Sequence, residues 1–294
     1  MSDTQRPDSK RPSMLPLAMA LTGSLAMGGT GCSLVQKSAK SPSVRPAAAG
    51  NADPESRELP ASLRFSPPLA IATQDDAIVR LVSGNQTCTG TLIDEDLVLT
   101  AHHCVVERGP KGEFLKTQRA PASIEVELGG DYIAWGRLKA RAIVAPPCGE
   151  QGGDGDIAVL VLERKLVGVP TMKARTSAPP RIGEPLDPVG FGRCATSQGI
   201  HRIARGGGPV RAMTAETIEM FASVCPGDSG GPVLARGSSE IVGVVSLSAM
   251  DGDENTKSAS IMARVDAYRS VFSDARMIGD GMAQNELPPL SCAP

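Results

Sequence analysis

The 294-residue sequence predicts an all-β fold, on three observations. Short runs rich in Val and Ile recur between turn residues from about Leu69 onward: Ala77 to Val82, Gly90 to Ile93, Leu97 to Ala101, Ile124 to Leu128, Ile157 to Leu162, Ile241 to Ser246 and Ile261 to Val265. That spacing belongs to a sandwich or a barrel, and periodicity alone does not choose between them. Aromatic residues make up only 3%, whereas Val, Ile, Leu and Ala are plentiful, so the core is expected to be aliphatic. Helical periodicity closes the chain over about 266–278. There Tyr268, Val271, Phe272, Ala275 and Ile278 form one apolar stripe, with Asp266 as the expected cap and Gly279 as the stop. A hydrophobic fraction of 41% and a net charge of −2 describe a soluble globular chain, and that charge gives no sign of a nucleic-acid partner.

The first 32 residues read as an export segment. Arg6, Lys10 and Arg11 make a basic start, Met14 to Met27 is mostly apolar, and Gly29-Thr30-Gly31-Cys32 ends the segment with small residues. The apolar run is short and is broken by Pro16, Gly23 and Gly28, which argues against a membrane span. Small residues before a cysteine resemble a bacterial lipoprotein signal, which implies lipidation and membrane anchoring at Cys32. Gly29 stands where that pattern has Leu, so ordinary cleavage after a small-x-small motif stays open. Removing Cys32 from the seven cysteines leaves an even set of six, suited to an oxidising compartment. Residues 33–68 shift to Ser, Ala and Pro without periodicity and read as a flexible tether or pro-region.

Chemistry concentrates in three stretches. Cys225-Pro226-Gly227-Asp228-Ser229-Gly230-Gly231-Pro232 cannot continue a helix or strand, because glycine weakens both and proline lacks a donor. Ser229 therefore rides a tight turn, whose Gly227 and Ser229 amides can converge on a developing oxyanion. A serine hydroxyl needs a base within reach, itself oriented by a carboxylate. The chain has three histidines, and His102 and His103 follow the apolar Leu97-Val98-Leu99-Thr100-Ala101 and precede Cys104. A buried carboxylate is expected where an aspartate enters an apolar strand. Asp156 before Ile157-Ala158-Val159-Leu160 meets this, and Asp154, in a glycine-rich loop, competes as the more solvated choice.

Taken together these motifs resemble the chymotrypsin-like serine proteases over about Ala77 to Phe272. Gly-Asp-Ser-Gly-Gly-Pro is that family's nucleophile motif, Thr100-Ala101-His102-His103-Cys104 resembles its base motif with His103 as the base, and Asp156-Ile157-Ala158 resembles its aspartate motif. The chain order His103, Asp156, Ser229 is the chymotrypsin order. The resemblance implies two six-stranded antiparallel barrels, about 69–168 and 169–265, within a protease domain spanning 69–280, and a tail over 281–294. It also implies a Cys88 to Cys104 disulfide. Cys225 lacks the family's later partner, so Cys194, after Val189-Gly190-Phe191-Gly192, is the expected substitute, leaving Cys148 with Cys292.

The function implied by this resemblance is that of an exported serine endopeptidase, acting on polypeptides through an acyl-enzyme, without cofactor or metal, as a monomer. A catalytically silent binding protein of the same shape is the alternative, and an esterase is a weaker third. By resemblance the primary pocket has Ser223 at its floor with Val224 beside it, and walls from Ser246, Leu247, Ser248 and Ser260. Lacking a carboxylate, such a pocket is expected to reject Lys and Arg and to prefer small or medium aliphatic residues. Glutamate is the alternative because its serines could hydrogen-bond a carboxylate, although Val245 stands where glutamate-specific relatives often place a histidine. No Ile-Val-Gly-Gly activation sequence lies upstream of Cys88, so Asp228 is expected to take an internal cation such as Arg193. Asp251-Gly252-Asp253-Glu254-Asn255 reads as a solvated turn rather than a calcium loop, and Arg205-Gly206-Gly207-Gly208-Pro209 as a mobile loop.

Overall fold

Six strands rich in buried residues roll into a closed barrel: β1 (Ile78–Ser83), β2 (Gln86–Asp94), β3 (Leu97–Thr100), β6 (Glu125–Gly129), β7 (Ala134–Val144) and β8 (Ala158–Leu162). Their order around the barrel is β1-β2-β3-β8-β7-β6, every pair antiparallel. A short hairpin, β4 (Val106–Arg108) with β5 (Phe114–Gln118), stands apart from it. The computed structural model describes residues 72–129, 133–149, 153–195, 197, 199–249 and 255–292. The export segment with Cys32, the tether and most of the turn at 251–255 lie outside them.

β7 shows how side-chain alternation builds the wall. Leu138, Ala140 and Ala142 point inward while Arg137, Lys139 and Arg141 face out, as a strand with one solvated face requires. β3 and β8 are buried throughout, so both read as continuous apolar runs. The barrel interior is aliphatic, filled by Leu81, Leu92, Val98, Val126, Leu128, Leu160 and their neighbours.

The second half mixes full strands with two-residue pieces: β9 (Lys173–Ala174), β10 (Pro185–Gly190), β11 (Ile203–Ala204), β12 (Gly208–Pro209), β13 (Ala212–Met213), β14 (Thr217–Ala222), β15 (Pro232–Ala235), β16 (Glu240–Ser248) and β17 (Ser258–Arg264). Antiparallel neighbours run β10-β15-β16-β17-β14. β11, β12 and β13 are fragments of one segment, residues 203–213, that closes the gap between β10 and β14. On one edge it pairs with β10 at Ile203, Ala204, Gly208 and Pro209. On the other, Ser223 donates its amide to the Gly206 carbonyl (3.0 Å) and Arg211 donates to the Glu219 carbonyl (2.8 Å). The second barrel is therefore six-stranded, with its sixth strand interrupted at the glycines. A Cβ on Gly207 would lie 1.9 Å from the Leu186 carbonyl oxygen, so only glycine lets the backbones approach this closely. The expectation of a mobile loop at 205–209 is corrected accordingly: the segment is bonded on both edges.

The one α-helix among the described residues, α1 (Arg269–Gly279), begins about one turn later than the periodicity predicts. Asp266 does not cap it. That carboxylate pairs with Arg264 (Nη2 to Oδ2, 2.7 Å), and Tyr268 occupies the N-cap position with no side-chain cap. Val271, Ala275 and Ile278 are buried against β3, β7 and β8, so the helix belongs to the first barrel. Among the described residues no helix is long and apolar enough to cross a membrane.

Candidate active site

His103 sits on a single helical turn, His102–Cys104, that ends β3. Asp156 lies just before β8, the neighbour of β3, so strand pairing brings the two together. The His103 amide donates to Asp156 Oδ1 (2.8 Å), and His103 Nδ1 lies 2.7 Å from Oδ2. Ser246 Oγ adds a third hydrogen bond, 2.5 Å to Oδ2, from the second barrel. Both residues are nearly closed to solvent, at 5% and 2% exposure. Burial pushes the Asp156 carboxyl up, but attraction to His103 and these hydrogen bonds outweigh it and hold the group below the usual carboxylate range. His102 points elsewhere, with Nδ1 2.8 Å from the Cys148 carbonyl oxygen. Asp154 is exposed. Phe114 of the hairpin packs edge-on to the His103 ring, centroids 5.1 Å apart.

The Ser229 turn is pinned to the first barrel through Thr89. Its amide donates to the Ser229 carbonyl (2.8 Å) and its hydroxyl to the Gly227 carbonyl (2.8 Å), while the hydroxyl also accepts from the Phe191 amide (2.9 Å). Beside it runs the Cys88–Cys104 disulfide, and Cys194–Cys225 braces the far side of the turn. Gly227 adopts φ +102°, a conformation L side chains rarely take, and this orients the peptides of the turn. Among the described residues, neither the Gly227 nor the Ser229 amide donates to a protein acceptor, and the Ser229 hydroxyl has no hydrogen bond to His103. Cys88, His103 and Cys104 are close enough to hold an ion, but two of the three are consumed by the disulfide, so the set does not suit a metal.

Asp228 pairs with Arg205 and not with Arg193. Arg205 Nε approaches Asp228 Oδ2 to 2.7 Å and Nη2 approaches Oδ1 to 3.2 Å, with the two side chains 1% and 0% exposed. Nη2 also donates to the Gly192 carbonyl (2.5 Å), and the Asp228 carboxylate accepts from the amides of Gly192 (2.7 Å) and Cys225 (2.8 Å). Burial raises the Asp228 carboxyl despite the pull of Arg205 and of those amides. Arg193 instead uses its amide to bond the Pro226 carbonyl. The expected Cys148–Cys292 disulfide is not formed: both are free thiols, and burial, together with the neighbouring Cys292 thiol, pushes Cys148 up to about 12.

The predicted pocket residues lie just after β14 (Ser223, Val224), on β16 (Ser246, Leu247, Ser248) and on β17 (Ser260). Ser223 and Val224 are buried, and Ser223 Oγ accepts from the Gly206 amide (2.9 Å). Ser248 and Ser260 bond to each other, Oγ to Oγ 2.8 Å, across the paired strands β16 and β17, with Ser260 only 2% exposed. None of these six positions carries a charge. Leu247 turns outward into a groove of about 590 Å³ shared with Phe221 and Ile261. The sequence does not announce Thr89, Arg205 or the Ser246–Asp156 bond. The one available signal for Arg205 is the need of a buried aspartate for a cation, which several arginines could meet.

The trypsin family model, described as "Trypsin", matches residues 70–272. An uncharacterized peptidase of Corynebacterium glutamicum is 28% identical over 186 residues, covering 60% of this chain; the chain spans 59% of that relative's length. Snake venom serine protease Haly-2 of Gloydius brevicauda is 25% identical over 201 residues, 58% of this chain and 70% of the venom protein. In fold, the chain is similar to a Glu endopeptidase structure (TM-score 0.53, 17% identity, 71% of this chain and 93% of the other). It is also similar to a scabies mite inactivated protease paralogue (TM-score 0.52, 18% identity, 70% and 96%).

Proposed function

The chain belongs to the trypsin family, and from that premise we propose that it is an exported serine endopeptidase with Ser229 as nucleophile, His103 as general base and Asp156 as the orienting carboxylate. The observation that carries this reading is the buried His103–Asp156 pair, bonded through both Nδ1 and the main-chain amide, beside a serine turn with two uncommitted amides. Bonding at Nδ1 leaves Nε2 to take the Ser229 proton as Oγ attacks the substrate carbonyl carbon. The tetrahedral oxyanion would sit on the Gly227 and Ser229 amides. His103 then returns the proton to the leaving amine, and water, deprotonated by the same base, hydrolyses the acyl-enzyme. A fluorophosphonate probe is expected to label Ser229, and Ser229→Ala to abolish labelling and lower amide hydrolysis by about 10⁴-fold or more. A folded wild-type protein that never reacts would leave the silent binding reading instead.

Three further readings accompany it. Uncharged residues at Ser223, Val224, Ser248 and Ser260 favour small or medium aliphatic side chains before the scissile bond, since a buried substrate cation would lack a counter-charge. An extended peptide would pair its main chain along Ser246 to Ser248. Two disulfides suit an oxidising compartment, in keeping with export by residues 1–32 and lipidation at Cys32. Labelled palmitate that fails to enter the protein in a bacterial host would favour simple cleavage.

A further inference from the structure

Beyond α1 the chain turns back over the first barrel as a strap. Gln284 Nε2 donates to the Ile143 carbonyl (3.0 Å), and Leu287 and Leu290 pack on the first core. Beneath it lies a cavity of about 280 Å³ lined by Val144, Pro147, Asp274, Ile278 and Leu290. Two residues beyond Leu290 the strap carries exposed Cys292 to the neighbourhood of half-buried Cys148, which follows Pro147 of the same cavity. Cys148 opens the loop that ends at Asp156, and its carbonyl oxygen is held 2.8 Å from His102 Nδ1. The two cysteines are thus set on neighbouring segments by packing that needs no bond between them.

We propose that Cys148 and Cys292 are a modification site: a redox-labile disulfide that clamps the strap to the Asp156 loop. The oxidant is a low-molecular-weight disulfide, RSSR. Cys292, the more accessible thiol, attacks one sulfur of RSSR as its thiolate, forming a mixed disulfide and expelling one RS⁻, which takes up the Cys292 proton. Cys148 then attacks Cys292 Sγ, and the second RS⁻ leaves with the Cys148 proton. Two cysteine thiols are oxidised and RSSR is reduced to two RSH. Burial of Cys148 disfavours its thiolate, so the second step accelerates as pH rises.

The test incubates the full chain with oxidised glutathione, alkylates without reduction and maps the peptides. A Cys148–Cys292 cross-linked peptide is expected, forming faster at higher pH. The clamped protein should melt about 5–10 °C above the form in which only this pair is reduced, because the bridge closes a long loop. Cys292→Ser, which alters an exposed position, should abolish the shift. Full alkylation of both cysteines after oxidation, or a melting shift that persists in Cys292→Ser, would overturn the proposal. Mass and melting are the readouts, so either failure leaves the catalytic reading standing.

Discussion

Proton uptake at Asp156 makes a pH dependence. Burial opposes its charge, yet His103 and three hydrogen bonds hold the folded carboxyl below its ordinary value of 3.8. A carboxyl held down in the folded state binds fewer protons there than in the unfolded chain. Its contribution to stability is therefore present above about pH 4 and is lost as pH falls through the folded value. Denaturant unfolding of Asp156→Asn across roughly pH 2 to 5 should show a shallower loss of stability with acid than the wild type. An unchanged slope would place the acid sensitivity elsewhere. The serine pair gives a second residue-scale expectation. Ser248→Gly removes a hydroxyl that now bonds Ser260, and should raise the Phe-to-Ala ratio of kcat/KM by roughly tenfold in chromogenic peptides. A wild-type preference for Arg or Glu would refute the aliphatic reading. At this scale the motif residues were legible, because His103 precedes Cys104 and Asp156 enters an apolar strand. Arg205 was not: its role depends on a contact with Asp228 across 23 positions, and nothing local marks it among the other arginines.

Elements were legible where apolar residues are large. β1, β3, β8 and β16 announce themselves through Val, Ile and Leu, whereas β7, the longest strand, does not. Its inward positions include Ala140 and Ala142, so the alternation with Arg137, Lys139 and Arg141 carries little hydrophobic contrast. The broken strand over 203–213 was hidden for another reason: three consecutive glycines signal a loop locally, and only the bonds to β10 and β14 override that preference. α1 was visible as a stripe, but its end depends on a tertiary contact. Arg141 of β7 donates to the Ile278 (2.7 Å) and Gly279 (3.2 Å) carbonyls, supplying partners that the last turn of a helix otherwise lacks. Arg141→Ala should cost about 1–2 kcal/mol, seen as a lower urea midpoint with an unchanged m-value. Ile278→Ala, which empties part of the interface with the barrel, should cost more, about 2–5 kcal/mol. The reverse ranking would mean that the helix is held by its terminus more than by its apolar face.

At the scale of the whole molecule, the two barrels meet at a turn whose shape depends on one buried ion pair. Many members of the family complete this turn by cleavage, when a new terminal ammonium reaches the aspartate before the nucleophile. Here Arg205 already occupies that role from within the second barrel, bonding both Asp228 and the Gly192 carbonyl. The carboxylate in turn holds the amides of Gly192 and Cys225, on the two sides of the Ser229 turn. The chain is therefore expected to hydrolyse substrate without an activating cut. Removing one partner of such a pair leaves an uncompensated buried charge, so Arg205→Met should cost about 3–5 kcal/mol and abolish hydrolysis. Arg205→Met with Asp228→Leu buries no lone charge and should recover most of that stability. It should stay inactive, because an apolar side chain in place of Asp228 cannot accept the amides that shape the turn. Thermal unfolding and active-site titration of the two variants separate these effects: a double variant with restored hydrolysis would show that the turn does not need the pair. If the intact protein from Ser33 onward were inert until a new terminus appeared near Leu69, Arg205 would be a stabilising residue only, and activation would depend on cleavage after all.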